Sequence, residues 1–140
     1  MTRIEVLDWN AARDEASRIR LEVFVKEQRV PPEIEMDDRD AASVHALAYR
    51  DGSAVGTGRL LPDGHIGRMA VLKGYRAAGV GGAILERLLE EARRRGMREA
   101  ILSAQTQAIG FYRRFGFAQV GPEFEEAGIA HQEMRRLLNP

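Results

Sequence analysis

The sequence predicts an α/β (α+β) fold, a mixed and mostly antiparallel sheet of about six or seven strands flanked by about four helices. Three observations predict it. Asp51-Gly52 separates SVHALAYR from VGTGRLL, the strongest short-range signal for a β-hairpin. Residues 65–104 run strand, helix, strand, a βαβ unit whose two strands are expected to be parallel with a right-handed crossover. Helical stripes alternate with short apolar runs over the whole chain, with no repeat, linker or low-complexity tract. The chain of 140 residues is read as one domain, 1–140.

The elements follow in order. RIEVL, residues 3–7, suits a first strand. DWNAARDEASRIRLEVFVKEQ has helical spacing, with Ala12, Ala16, Ile19, Val23 and Phe24 on one face and Asp8 or Asn10 as cap. VPPEIEMDDRD, with two prolines and five acids, reads as a loop with room for one helical turn. The hairpin follows, then the turn LPDG at 61–64 and the strand HIGRMAVL. From Val80 the apolar residues Ile84, Leu85, Leu88, Leu89 and Ala92 make a helical stripe, which Gly96 stops. Glu90–Arg94 and Glu91–Arg95 are favourably ordered pairs on it. EAILSAQ is a buried strand. Thr106 is placed to cap a short helix through Phe115, ended by Gly116. FAQVG and HQEMRRLL are the last strands, and the final one, if uncovered, would be an edge able to pair across a homodimer.

Composition excludes several classes. No apolar stretch approaches the ~20 residues of a membrane span, and MTRIEVLDWN lacks the apolar core of a signal peptide, so the protein is read as cytoplasmic. With no cysteine there is no disulfide framework, thiolate metal site or cysteine nucleophile. Lys plus Arg equals Asp plus Glu at 21 each, which lacks the basic excess of a nucleic-acid binder. The three histidines have no metal-ligand spacing, so no metal is expected. No Gly-x-Ser-x-Gly elbow supports serine hydrolysis. Arg93-Arg94-Arg95 reads as the wet face of its helix.

The stretch KGYRAAGVGGAIL, residues 73–85, holds the chemistry. A helix start leaves backbone N–H groups without partners and carries partial positive charge, so it holds anions. Glycine lets a phosphate approach the backbone, and Arg76 adds a guanidinium. Arg76, Gly79, Gly81 and Gly82 together read as a diphosphate cradle. A P-loop would need Lys-Ser/Thr after the last glycine, where Ala83-Ile84 stand. A dinucleotide fold would need G-x-G-x-x-G and an acid ending the next strand, where Ser103-Ala104-Gln105 stand.

Arg76-Ala77-Ala78-Gly79-Val80-Gly81, after the strand end Met69-Ala70-Val71, resembles the coenzyme A signature of the GNAT superfamily of N-acetyltransferases. AIGFYRRFGF, residues 108–117, resembles the family's other mark, an aromatic pair followed by Gly-Phe. The element order also matches, and residues 20–45 look like the ElaA/YjcF-like branch. The departure is Ala77-Ala78, where the position after the arginine is usually glycine; alanine resists positive φ.

The resemblance implies a sheet splayed in the middle, with strands 65–72 and 99–104 parting at their C-terminal ends. Acetyl-CoA is the implied cosubstrate. Its pantetheine arm would lie between these strands, bonded by main-chain groups near Met69, Ala70 and Val71, with the diphosphate on the N–H groups of Ala77, Ala78, Gly79, Val80, Gly81 and Gly82. A backbone N–H near Val71 would face the acyl oxygen. Acetyl would pass directly to a primary amine of a small molecule or peptide. Tyr112 is the implied acid, facing the thioester sulfur. For a base, His65 aligns with the catalytic glutamate of some members and is of a type that titrates near neutrality. Glu35 in the acidic loop is a rival, and a water relay is a third route. The loop EIEMDD would draw a cationic amine by its field, or else be solvated with Asp37 or Asp38 capping backbone. His45 and His131 are expected to be packed or hydrogen-bonded. The alternative from another class is a coenzyme A-binding sensor or interaction module without turnover.

Overall fold

The computed structural model describes residues 2–32 and 37–138. The hairpin forms as its turn dictates. β2, Val44–Arg50, and β3, Ser53–Leu60, meet through Asp51 and Gly52, both at positive φ (54° and 80°), the geometry that a two-residue turn between twisted strands needs. β1, Arg3–Leu7, pairs antiparallel with β2, and β4, Ile66–Val71, with β3, giving a first sheet ordered β1-β2-β3-β4.

Two helices cover its faces. α1, Trp9–Arg20, starts at Asp8, whose carboxylate accepts from the Ala11 N–H at 2.9 Å. Its face of Ala12, Ala16 and Ile19, with Val23 beyond, is buried against Leu47, Ala54 and Ala70. Past Arg20 the helix widens into π-helical turns over Leu21–Glu27, where the sequence predicts continuous α-helix. α2, Val80–Arg94, lies on the opposite face and buries Ile84, Leu85, Leu88, Leu89 and Ala92, the stripe its spacing predicts. Each isoleucine or leucine side chain of that stripe contributes roughly 1.5–3 kcal/mol by leaving water. The approach is close because β3 presents glycines there. A Cβ on Gly56 or Gly58 would stand 2.9 Å from Ile84.

A second sheet is built from the remaining strands. β5, Glu99–Gln105, pairs with β8, Ile129–Leu137, which also carries β6, Ala118–Gln119, and β7, Phe124–Glu126. The strand expected over FAQVG is thus two residues long. The buried Gln132 amide donates to the Val120 and Gly121 carbonyls, both at 2.9 Å, and replaces ladder bonds there. β7 is not predicted from the sequence. It turns into β8 through Ala127 and Gly128 at φ 53° and 76°, a hairpin turn without the usual Asn or Asp. Because β6 and β7 pair with it, β8 is not the uncovered edge that would join a homodimer. Thr106 is not a cap either. Residues Thr106–Ala108 make a 3₁₀ turn, and α3, Ile109–Arg114, follows with no side-chain cap. Three α-helices stand among the described residues against the four expected.

The two sheets meet at one point. His65 bridges Ile101 in parallel, and the Ile101 N–H donates to the Gly64 carbonyl at 3.0 Å. Gly64 has φ 96°, and a Cβ there would stand 2.5 Å from the Glu99 carbonyl oxygen. Gly64→Ala therefore combines a left-handed backbone with a clash against main chain. It should lower the unfolding free energy by about 2 kcal/mol or more, read by urea denaturation.

Candidate active site

Beyond that bridge β4 and β5 are unpaired. β4 ends the first sheet and β5 begins the second, so each turns to the gap an edge that is unpaired among the described residues. β4 also bulges there. Its register with β3 jumps from Thr57↔Ala70 to Arg59↔Gly67, leaving Arg68 and Met69 opposite Gly58, with Arg68 at φ 49°. A cavity of about 380 Å³ opens in the gap, walled by Met69, Ser103, Gln105 and Tyr112 and by Phe24 and Gln28 of the π-helical extension.

Tyr112 reaches this cavity from α3. Its hydroxyl donates to the Met69 sulfur at 3.9 Å, a weak acceptor. Its ring packs edge-on against Phe111 and Phe117. Burial pushes its pKa up to about 12, so the hydroxyl keeps its proton throughout the physiological range. His65 lines the same cavity. Its Nδ1 lies 2.9 Å from the Asp63 carboxylate but outside hydrogen-bond geometry, and that carboxylate accepts the His65 backbone N–H at 3.0 Å. Glu35 lies outside the described residues.

His131 also lines the cavity, which its strand pattern did not reveal. Its Nδ1 is 2.7 Å from the Ile129 carbonyl, and a carbonyl only accepts, so Nδ1 carries the proton. In the neutral ring Nε2 then keeps its lone pair. His45 is buried with Nε2 2.9 Å from the Asp40 carbonyl, the hydrogen-bonded residue expected; burial lowers its pKa against the pull of Asp40.

The glycine-rich turn forms the far end of the gap. Gly79 caps α2 at φ 80° with no side-chain bond, and the Ala83 N–H is the first to reach back to its carbonyl, at 3.0 Å. The N–H groups of Val80, Gly81 and Gly82 thus have no helical acceptor. Nothing lies within 4 Å of where a Gly79 Cβ would point. Gly82 has a packing reason as well, since a Cβ there would meet Phe115 of the α3 segment at 2.9 Å. Arg76 is engaged. Its guanidinium forks onto Glu27 at 2.6 and 2.7 Å, and its Nε donates to the Val71 carbonyl at 2.9 Å. That fork holds the Glu27 carboxyl below its ordinary value. Ala77 takes φ 66°, the conformation it resists.

The acidic loop does not act through its field at Asp37. Arg59 donates to both Asp37 oxygens at 2.8 and 2.9 Å, and Arg68 adds a bond at 3.2 Å. Arg59 also reaches Asp40 at 3.0 Å, which Arg20 grips at 2.9 and 3.0 Å in the interior. Asp37 also accepts the Arg39 N–H at 3.1 Å, the backbone capping expected of it or Asp38. Hydrogen bonds from Arg59, only partly opposed by burial, hold the Asp37 carboxyl well below the usual carboxylate range. The walls of this site come from segments distant in sequence, so no spacing signal links Arg39, Arg59 or Gln28 to Tyr112.

The sequence profile described as Acetyltransferase (GNAT) domain matches residues 11–138. The chain belongs to the GNAT acetyltransferase family. YjcF, an uncharacterized N-acetyltransferase of Bacillus subtilis, is 43% identical over 126 residues, covering 87% of this chain and 90% of YjcF. The crystal structure of Escherichia coli ElaA superposes with TM-score 0.87 at 27% identity, over 96% of this chain and 99% of that one. An acyl-CoA N-acyltransferase from Pseudomonas aeruginosa superposes with TM-score 0.85 at 31% identity, over 97% and 99%. This GNAT protein is an acyltransferase of the ElaA/YjcF-like branch.

Ala77→Gly should raise the unfolding free energy by about 0.5–1 kcal/mol, as relief of the left-handed strain outweighs the added freedom of the unfolded chain. A thermal melt checks it. Because the folded Asp37 titrates below its unfolded value, its contribution is complete above about pH 4 and drains as pH falls through the lower, folded value. Asp37→Asn should flatten the acid side of the stability profile and lower stability at neutral pH.

Proposed function

We propose that this GNAT protein transfers acetyl from acetyl-CoA directly to a primary amine within a ternary complex. The observation that carries the reading is Tyr112, a protonated hydroxyl in the cavity between two bare strand edges, held only weakly by the Met69 sulfur. On this reading the protein is cytoplasmic, forms one domain over 1–140 and uses no metal.

The residues present fit the cosubstrate. The uncapped start of α2 offers the N–H groups of Val80, Gly81 and Gly82 to a diphosphate, with Gly79 leaving open space and Ala77 and Ala78 leading in. Arg76, bonded to Glu27 here, would join them by exchanging that carboxylate for the phosphate. The free edge of β4 at Met69, Ala70 and Val71 would take an extended arm as an added strand. Acetyl-CoA would supply an activated acyl group with a thiolate leaving group.

The chain's own residues do the rest. A backbone N–H near Val71 stabilises negative charge on the acyl oxygen. His65, with Asp63 at its Nδ1, takes the amine proton at Nε2; His131 presents a second such nitrogen. Tyr112 donates to the sulfur as charge develops there. With its pKa near 12 against ~8.5 for a thiol, full transfer to the thiolate runs uphill, so its contribution is a strengthening hydrogen bond.

Tyr112→Phe should lower kcat about 10- to 100-fold in a thiol-release assay across a panel of amines. Its melting temperature should rise with coenzyme A as that of the wild type does, by the equivalent of about 2.7 kcal/mol at 100 times Kd, with no response to NAD. Full turnover in Tyr112→Phe removes the tyrosine from the mechanism. A coenzyme A response without thiol release from any amine leaves the sensor reading.

A further inference from the structure

We infer that the acceptor is a small amine bearing a carboxylate, and that Arg39 and Arg59 form the subsite for that carboxylate. The inference rests on the acyl-transfer reading for the role of the amine, but the anion subsite stands on its own observations.

Arg59 is the first. Its side chain is 6% exposed, it lines the cavity from β3, and its terminal nitrogens serve Asp37 and Asp40. Its Nε–H is buried without an acceptor among the described residues. Native interiors leave few donors in this condition, and this one belongs to a side chain that lines the cavity. Arg39 is the second. It lines the same cavity and its guanidinium makes no ion pair among the described residues. Arg68 adds a third guanidinium to this wall, brought there by a bulge at φ 49°. An arginine held in a left-handed conformation is strain of the kind that collects at binding sites.

The opposite sheet supplies the complement. Glu126, at the end of β7, is the carboxylate among the described cavity residues, with His131 next to it in the lining. An ammonium group suits that side and a carboxylate suits the arginine side. Guanidinium forks match carboxylate geometry. A plain alkylamine would leave the Arg59 Nε and Arg39 unused, and a polyamine would set a second cation against them. A space of about 380 Å³ lies at the small end of ligand sites and holds a compact molecule.

The test compares N-acetyl-β-alanine with N-propylacetamide, a matched pair that differs by the carboxylate, by calorimetric titration at low ionic strength. The carboxylate is expected to bind about tenfold or more tightly, a preference that added salt weakens. Arg39→Ala should remove most of the preference and Arg39→Lys restore part of it. Arg39 is exposed, so the variant's melting temperature should match the wild type and exclude misfolding. Equal binding of the pair, or an unchanged preference in Arg39→Ala, overturns the inference. Thiol release from acetyl-CoA with β-alanine and with propylamine is scored separately. Equal kcat/KM for the two amines keeps the transferase and overturns the anionic acceptor. No release with either amine, alongside Arg39-dependent binding of the carboxylate, keeps the subsite and counts against acetyl transfer. A preference for succinyl-CoA over acetyl-CoA with propylamine puts the carboxylate on the donor and overturns the assignment to the acceptor.

Discussion

Everything in this protein depends on β4 and β5 touching at one bridge and then parting. The strands of a βαβ unit ordinarily continue side by side as a parallel pair. Here Gly64 admits the main chain of Glu99 at 2.5 Å from where a Cβ would be, and the Ile101 N–H closes the contact. Past this point α2 holds β4 against the first sheet, while β8 claims β5 for the second. The bulge at Arg68 and Met69 turns β4 further out of register. The result is a gap with two unsatisfied edges, open for a ligand to supply the missing hydrogen bonds.

A buried ionic network forms the first-sheet wall of that gap. Arg20, Asp40, Arg59 and Asp37 are linked by hydrogen bonds of 2.8 to 3.0 Å, two of them from Arg20, whose side chain is 1% exposed. Such a network adds little net stability over an apolar core, but losing one member strands charge in the interior. It therefore acts as a specifier of geometry. It ties α1 and residues 37–40 to β3, and it sets Arg39 and Arg59 at the cavity. His45, neutral and bonded to the Asp40 carbonyl, supports it from β2.

Glu27 and Gln28, adjacent at the end of the π-helical turns, reach the two sides of the gap. Glu27 holds Arg76 after β4, and Gln28 accepts from Gln105 of β5 at 2.9 Å. Widened helical turns are frequent at functional sites. The irregularity in α1 thus has a structural consequence: it directs neighbouring side chains to opposite walls of one cleft.

The sequence by itself determined most of the elements and the glycine-rich turn. Apolar spacing marked the buried faces of α1 and α2, because a helix on a sheet must bury one stripe. Asp51-Gly52 marked the hairpin, because few residue pairs take two positive φ values cheaply. The motif from Arg76 to Gly81 and the run from Phe111 to Phe117 pointed to the family, because phosphate and thioester chemistry constrain neighbours in the chain. Ala127-Gly128 hid β7, since that pair carries little turn signal, and Gln132 shortened the strand before it through a contact no local pattern encodes. Only the tertiary structure decided that Asp37 is neutralised by Arg59 and Arg68, that Arg76 rests on Glu27, that His131 shares a cavity with Tyr112, and that β8 has no free edge. These depend on which distant segments the sheet splay brings together, and periodicity within a segment carries no information about its partners across a gap.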